Sequence, residues 1–492
     1  MANQTMIINA VHPEEFRIAI VEGQSLEGFF IETAARTKIS GNLYKGLVTH
    51  VQPSLQAAFV DYGLDRNGFL PLSDIHPEYY VNEVEEPIRI QDVIHPGQEV
   101  LVQIVKEEIG SKGALLTTYI SLAGRDVVLM PGQTQRGVSR KIEEEAQRDR
   151  LRAVVNDLRI PEEFGVILRT AAENRTKRDI VKDFNHLMKI WDEIRKQVEE
   201  APAPALIHKD QDLALRILRD YFNPNIKSIL VDDRDVFKTV KEFLRIFSPA
   251  HQRVVKLYKD EGPITSKFNL EDQIEQIFRK RVPLKSGGSL FIDSTEALVA
   301  IDVNSGRTNG NGVLEEMVYK VNMEAAGEIP RQLRLRDLGG LIVVDFIDMR
   351  DNRHAREVER RFKEETKKDK AKITVGRISR FGLLELSRQR LGLNIMRGSF
   401  GECPVCHGVG LVRSTEAHAL SNLRKIWLAL THKKAATVKA TLNLEVANYL
   451  LNQKRNDLIQ LEERYKTNII IEGSATVLPN ESHVEYIAGE SP

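Results

Sequence analysis

Two aspartates stand where short apolar runs end. Leu298-Val299-Ala300-Ile301 leads into Asp302, and Leu341-Ile342-Val343-Val344 leads into Asp345. Side chains alternate along an extended chain, so Asn304 shares a face with Asp302. The same alternation puts Asp348 opposite Asp345, if the extended run continues that far. An ionised carboxylate inside an apolar run is costly unless it is paired or holds a metal. Two carboxylates and an amide oxygen form a hard-oxygen set that suits Mg²⁺, which keeps several waters and takes other ligands from a substrate phosphate. The chemistry would then be metal-assisted work on a phosphate ester. The plainer alternative is that Asp302 opens an Asp-Val-Asn-Ser-Gly turn and Asp345 pairs with a nearby arginine.

Three other groups carry chemical potential. Gly165-Val166-Ile167-Leu168 ends in Arg169-Thr170, a planar donor fork beside a hydroxyl. It could clamp a phosphate, or Arg169 could serve in an ordinary surface ion pair. Phe59, Phe69, Lys106 and Lys112 lie among short strand-like runs, where exposed aromatics stack bases and cations hold phosphates; an aromatic in a short strand is otherwise core. Cys403-Pro404-Val405-Cys406 has the look of a zinc knuckle, yet a structural zinc wants four ligands and the chain has two cysteines. A redox pair, a mixed site borrowing His407 and a site completed by a second chain stay open, although the redox pair lacks the strand-then-helix context it needs. Arg377, Arg380, Arg388 and Arg390 have little balancing acid and are candidates for phosphate contacts. The mixed-sign run 353–370 reads instead as a salt-bridged surface.

The elements that must position these residues follow from periodicity. The runs before Asp302 and Asp345 are short, β-branched and flanked by glycines, so they read as buried strands. The roughly 40 residues between them allow a crossover with a helix, hence a parallel pair with both aspartates at strand carboxyl ends. Glu315–Leu335 has helical spacing, with Pro330 expected to kink or divide it. Residues 39–119 read as a small barrel of the OB-fold kind. Residues 5–35 suggest strands of a sheet completed later in the chain. Two helices, near 143–158 and 178–200, flank the Arg169 run, and 201–205 reads as a stiff linker. Residues 212–280 alternate helix and strand, and a small α/β unit follows residue 414.

At 492 residues, 42% hydrophobic and 28% charged, the chain reads as a soluble protein of several domains. Lys+Arg 70 against Asp+Glu 70 leaves zero net charge, so any nucleic-acid surface must be local. No apolar run approaches membrane-spanning length, the start lacks a leader pattern, and two cysteines exclude a disulfide framework. A cytoplasmic location is expected.

The runs Ile301-Asp302-Val303-Asn304-Ser305, Arg331–Gly340, Val344–Met349 and Arg377–Arg390, in that order and spacing, resemble the catalytic domain of the ribonuclease E/G family. Tyr44-Lys45-Gly46, Ala58–Gly63 and Asn67–Pro71 resemble the S1-type RNA-binding domain. The resemblance implies a multidomain α/β chain with the following order: an RNase-H-like subdomain in two parts (1–38 and 211–280), an S1-type OB-fold barrel (39–119) and a 5′-monophosphate sensor region (120–210) inserted in it, a DNase-I-like catalytic domain (281–400), a zinc-link (401–413) and a small C-terminal domain (414–492). It implies an Mg²⁺-dependent endoribonuclease acting in rRNA processing and mRNA decay, cutting single-stranded RNA to leave a 5′-phosphate and a 3′-hydroxyl. Asp302 and Asp345 would hold the catalytic Mg²⁺, with Asn304 in support. Phe59, Phe69, Lys106 and Lys112 would contact RNA. Arg169 and Thr170 would bind a 5′-monophosphate, with backbone from Gly124 and Val128 and a lysine, Lys372, where the family often carries an arginine. Cys403 and Cys406 would share one Zn²⁺ with a second chain, His407 staying outside the shell, to form a homodimer, with a tetramer left open. Little acidic or proline-rich tail follows residue 480, which suits the shorter, ribonuclease-G-like type without a degradosome-type scaffold. The rival from another class is a non-catalytic S1-type RNA-binding protein of ribosome assembly or translation, which the strand-end carboxylates speak against.

Overall fold

The computed structural model of the chain describes residues 3–12, 14–33, 38–81, 88–108, 112–142, 144–306, 314–391, 395, 400–433 and 436–487. They fall into two compact units, Met1–Gly398 and Ser399–Pro492. The start of the expected helix near 143 and most of the link around 392–399 lie outside the described residues.

Four sheets build the first unit. The N-terminal strands join a sheet finished more than two hundred residues later, in the order Val255–Leu257, Ile226–Val231, Gln4–Asn9, Glu15–Glu22, Ser25–Thr33. Gln4–Asn9 runs parallel to Ile226–Val231, while the next two strands form an antiparallel meander. Its core joins Met6, Ile8 and Ile18 to Ile217, Leu218, Phe243 and Leu244 from the helices Leu213–Tyr221 and Arg234–Phe247. Asp233 caps the second of these by accepting from the backbone N–H groups of Asp235 and Val236.

Inserted between the strands at 33 and 226 is a closed five-stranded barrel. Leu43–Gln52 pairs antiparallel with both Ala57–Asp61 and Glu99–Lys106, which closes the sheet on itself. Tyr44 and Tyr62 meet edge to face inside it, with ring centroids 5.2 Å apart. The barrel is narrow: a Cβ on Gly68 would come within 2.4 Å of Leu116. Ala205–His208 is added to the barrel as a further strand beside Leu43–Gln52, so the segment read as a linker ends in paired sheet.

A four-stranded sheet follows, ordered Arg136–Val138, Phe164–Leu168, Val127–Pro131, Leu122–Ala123. The 24-residue helix Lys177–Glu200 covers it, started by a capping box in which Thr176 and Asp179 satisfy each other's backbone N–H.

The fourth sheet has six strands, ordered Arg281–Pro283, Ser289–Ser294, Leu298–Asn304, Gly340–Asp345, Leu383–Arg388, Ile373–Ile378. Leu298–Asn304 and Gly340–Asp345 are parallel, and every other pairing is antiparallel. The connecting helix Leu314–Leu335 is a single helix with Pro330 inside it, so of the expected kink or division the helix is not divided. Phe346 and Phe362 lie in the core that this helix and Asn352–Thr366 form with the sheet. Among the described residues one face of this sheet is covered and the other is not. Val299, Ile301, Val303, Ile342 and Val344 are buried, whereas Ala300, Asp302 and Asn304 are exposed and Leu341 is 49% exposed. The reading of these runs as buried strands therefore holds for one face only: apolar Leu298, Ala300, Leu341 and Val343 stand on the other side of the pleat and hide the open face in the sequence.

In the second unit, Thr437–Asn443 is the central strand, parallel to Asn468–Ser474 and antiparallel to Ser482–Ile487. The helices Thr415–Lys433, Leu444–Gln453 and Arg455–Tyr465 accompany this sheet. No described helix is long and apolar enough to cross a membrane.

Candidate active site

Asp302 and Asp345 are direct register partners across the parallel pair and share its open face. Asn304 donates its amide to Asp302 Oδ2 at 2.7 Å, fixing that carboxylate while leaving its other oxygen available. The strand ends at Asp345, and the chain then turns so that Asp348 comes back to the same place. A Cβ built on Gly382 would lie 3.2 Å from Asp348 Oδ1 and 4.0 Å from Asp345 Oδ1. Asp348 is therefore beside Asp345 rather than on the opposite face, because the extended run stops three residues too early. Partial burial, then the like charges of Asp302 and Asp348, push the Asp345 carboxyl above the ordinary carboxylate range. Among the described residues none of the three has an ion-pair partner, so pairing with a nearby arginine is not what holds them. Also among those residues, no group of three or more His, Cys, Asp or Glu side chains is placed to surround a metal. The donor set is a carboxylate pair with an amide behind it, which fits a cation that keeps most of its water, Mg²⁺, and not one needing a full protein cage.

Sequence reasoning missed the cationic residues next door. A cavity of about 610 Å³ is lined by Glu315, Arg350, Asp351, Asn352, Arg353 and Arg356. Arg350 follows Asp348 by two residues, a reach of about 7 Å at full extension. Glu315 accepts from the backbone N–H groups of Arg350 and Asp351, which leaves the three guanidiniums without an ion-pair partner among the described residues. The mixed-sign pattern of 353–370 concealed Arg353 and Arg356, since balancing glutamates such as Glu365 pair with Arg361 and Lys368 instead. Arg388, by contrast, is no phosphate contact. Its side chain is 2% exposed and is held by Asp369 at 2.8 Å and Asp337 at 2.9 Å.

On the barrel, Phe59 has His50 as partner on one side and Phe69 on the other. The Phe59 and Phe69 rings meet edge to face at 5.9 Å, and the His50 ring stacks on Phe59 at 6.4 Å. All three are outward of the barrel core. Lys106 is exposed and opposite Leu115, itself the partner of Phe69. Lys112 is exposed beside Gly113, whose position is pressed against the Asn67 carbonyl next to the Phe69 strand. One face thus gathers two phenylalanines, a histidine and Lys106. His50 had no signal, being one polar residue in an alternating strand.

Arg169 ends its strand, and its guanidinium donates to the Gly124 carbonyl at 2.7 Å and to Asp220 Oδ1 at 2.7 Å. Thr170 is exposed at the start of the next turn, and Val128 is half-buried in the paired strand. The loop carrying Gly124 is tied down by Asp183, which accepts from the backbone N–H groups of Asp126 and Val127 and leaves no room for a Cβ on Gly124. Burial would raise the Asp220 carboxyl, but Arg219 and Arg169 outweigh it and hold it below the ordinary range. Lys372 is exposed at the start of the Ile373–Ile378 strand and makes no side-chain hydrogen bond or ion pair to this cluster among the described residues. The lysine that faces it is Lys370, whose ammonium lies 4.2 Å over the Tyr221 ring. Desolvation pushes that ammonium down to about 8, Arg169, Arg125 and Lys141 adding to it against Asp220, although solvent reaches the side chain and screens part of the effect.

Cys403 and Cys406 lie in a turn before the second unit's first helix, Cys403 exposed and Cys406 half-buried. The backbone N–H groups of Cys406 and Val405 point at the Cys403 sulfur and pull its thiol below the ordinary value. His407 is exposed and in the left-handed region, and its N–H bonds to the Cys403 carbonyl. Asn480 holds the turn by donating to the Val405 carbonyl.

Comparison with known proteins gives three matches: the S1 RNA binding domain at residues 37–118, the ribonuclease E/G family at 121–391 and the RNase E/G thioredoxin-like domain at 402–487. The chain is 44% identical over 480 residues to ribonuclease E of Haemophilus influenzae, covering 97% of this chain and 51% of that protein. It is 45% identical over 463 residues to ribonuclease E of Escherichia coli (strain K12), covering 93% and 44%. With ribonuclease G of Escherichia coli (strain K12) it shares 38% identity over 426 residues, 86% of this chain and 87% of that one. The chain therefore spans about half the length of these ribonuclease E proteins.

Proposed function

The chain belongs to the ribonuclease E/G family, and from that premise we propose that it is an Mg²⁺-dependent endoribonuclease that cuts single-stranded RNA and leaves a 5′-phosphate and a 3′-hydroxyl. The observation that carries this reading is the facing pair Asp302 and Asp345, unpaired by any cation among the described residues and mutually repelling. Mg²⁺ bound by these two carboxylates would supply polarisation of the scissile phosphate and a lowered pKa for the attacking water. Asn304 holds the Asp302 carboxylate in one orientation. Asp348 adds negative charge that strengthens the site's preference for a divalent cation. Arg350, Arg353 and Arg356 offer donors to the RNA backbone beside the cut.

The S1-type barrel is read as the holder of the strand, with bases on Phe59, Phe69 and His50 and phosphates at Lys106 and Lys112. Arg169 and Thr170 are read as the 5′-monophosphate clamp, with Lys370 rather than Lys372 as the supporting cation. The sheet order around Gln4–Asn9 supports the RNase-H-like reading of residues 1–38 and 211–280. Backbone N–H groups aimed at Cys403 are what a zinc-bound thiolate uses, which supports a Zn²⁺ shared with a second chain. A substitution tests the central claim. Asp345→Asn should lower cleavage of a short single-stranded RNA in Mg²⁺ by at least a hundredfold while RNA binding persists. Wild-type cleavage by the purified variant would remove the assignment.

A further inference from the structure

The open face of the catalytic sheet carries more than carboxylates. Asp302 has Phe291 as its direct partner in the antiparallel pair of Ser289–Ser294 and Leu298–Asn304, and directly opposed side chains share a face. Phe291 is 42% exposed. On the other flank, Asp345 pairs with Leu383, and the turn leading into Leu383 carries Phe381, 67% exposed. That turn is tight: Gly382 N–H bonds to the Ser379 carbonyl at 3.0 Å, and Ser379 N–H to the Leu383 carbonyl at 2.8 Å. Gly382, at φ +79°, is the residue that approaches both Asp345 and Asp348. Phe381 is its immediate neighbour. The Arg380 guanidinium stands 4.8 Å over the Phe381 ring, and neither Arg377 nor Arg380 has an ion-pair partner among the described residues.

A single exposed apolar residue is ordinary and argues nothing. Here two of the largest border one carboxylate cluster from opposite sides. An apolar protein partner settling on this face would bury Asp302, Asp345 and Asp348 without partners, at a high desolvation cost. A nucleobase does not have that difficulty: it is flat and apolar on its faces, and its phosphate brings oxygen ligands to a metal held by the aspartates. The free arginines at 377 and 380 complement the backbone charge of the same strand.

Resting on the ribonuclease reading, we propose that Phe291 and Phe381 are the platforms on which the two nucleobases flanking the scissile phosphate stack, Arg380 closing the stack on the Phe381 side. Three strand spacings separate the Phe291 strand from the strand that the Phe381 turn begins, about 14 Å in all. Two bases held that far apart are splayed away from each other around the cut. A duplex cannot splay them without losing its pairing and stacking, so the face itself rejects double-stranded RNA. Stacking on phenylalanine tolerates every base, so these platforms confer strand selectivity without a sequence code.

The test uses the full chain with a short 5′-monophosphorylated RNA containing one cleavage site, and two versions in which one flanking nucleotide is abasic. Wild type should cut each abasic version with kcat/KM lowered about tenfold. In Phe381→Ala one of these two penalties should vanish while the other stays; in Phe291→Ala the roles should reverse. Phe381→Tyr, which keeps the ring, should behave as wild type; a merely structural role for the ring would slow Phe381→Ala on every substrate alike and leave both abasic penalties in place. Equal cutting of intact and abasic RNA by wild type, or both penalties persisting in both alanine variants, overturns the proposal. So does a change in sedimentation of Phe291→Ala with the abasic penalties intact, which would mean that a second copy covers the face. If wild type cuts no RNA at all, the ribonuclease reading has failed. The platforms are then judged by 2-aminopurine placed at each flanking position with a chelator present. Quenching by wild type that each alanine variant loses at one position supports them, and no quenching overturns them.

Discussion

Lys370 shows how a single residue sets a condition on function. Its ammonium faces Arg169 and Arg125 across from Asp220, and its surroundings lower it to about 8 from the ordinary lysine value. The folded-state pKa is below the unfolded one, so protonation costs stability at neutral pH, and that cost fades as pH rises from about 8 toward the unfolded value. Under the proposed 5′-monophosphate clamp the functional consequence runs the other way: the positive charge offered to the phosphate is present well below pH 8 and is lost as pH rises through it. The ratio of cleavage rates for 5′-monophosphorylated over 5′-hydroxyl RNA should therefore fall between pH 7 and pH 9. Lys370→Gln should show a low ratio that no longer depends on pH, whereas Lys372→Gln should follow wild type. Measuring the two substrates side by side across that range decides it.

At the scale of elements, the sheet that carries Asp302 and Asp345 depends on a buried ion-pair cluster at the end away from them. Arg388, at the end of its last strand in chain order, Leu383–Arg388, bonds Asp369, Asp337 and the Leu338 carbonyl. Removing one partner of a buried pair leaves the others desolvated and uncompensated, at about 3–5 kcal/mol. Arg388→Ala should lower unfolding stability by that order in a denaturant titration. At temperatures where it remains folded, its RNA affinity should match wild type, because the guanidinium never reaches solvent. Arg350→Ala should do the opposite, with stability unchanged and a shallower dependence of RNA affinity on salt, by about one counterion.

For the whole molecule, zero net charge means that RNA is not drawn in by a global field, so the proposed function relies on the separate basic surfaces on the barrel, at Arg169 and beside the aspartates. Under the shared-metal reading, the free cysteines Cys403 and Cys406 supply two thiolates, half of a tetrahedral zinc shell. Cys403→Ser, or strong chelation of the wild type, should shift sedimentation toward the single chain and release zinc in proportion. A short RNA should still be cut by the separated chains, since Asp302 and Asp345 belong to one unit. Unchanged sedimentation after zinc loss would remove the shared-metal reading.

Much of this molecule is written locally. The strands before Asp302 and Asp345, their parallel relation, the barrel and the helix ends follow from periodicity, turn residues and the crossover length, all of which act over a few residues. The positions of Asp302, Asn304 and Asp345 at strand ends were legible for the same reason. Long-range pairing decided the rest. Only the fold could show that the sheet leaves one face open, that Asp348 swings back beside Asp345 at Gly382, that Lys370 and not Lys372 meets Arg169, and that Arg388 is sealed among carboxylates. Those outcomes depend on which distant segments share a surface and on whether a charge there finds a partner or water, a balance of desolvation and contact that no local pattern encodes.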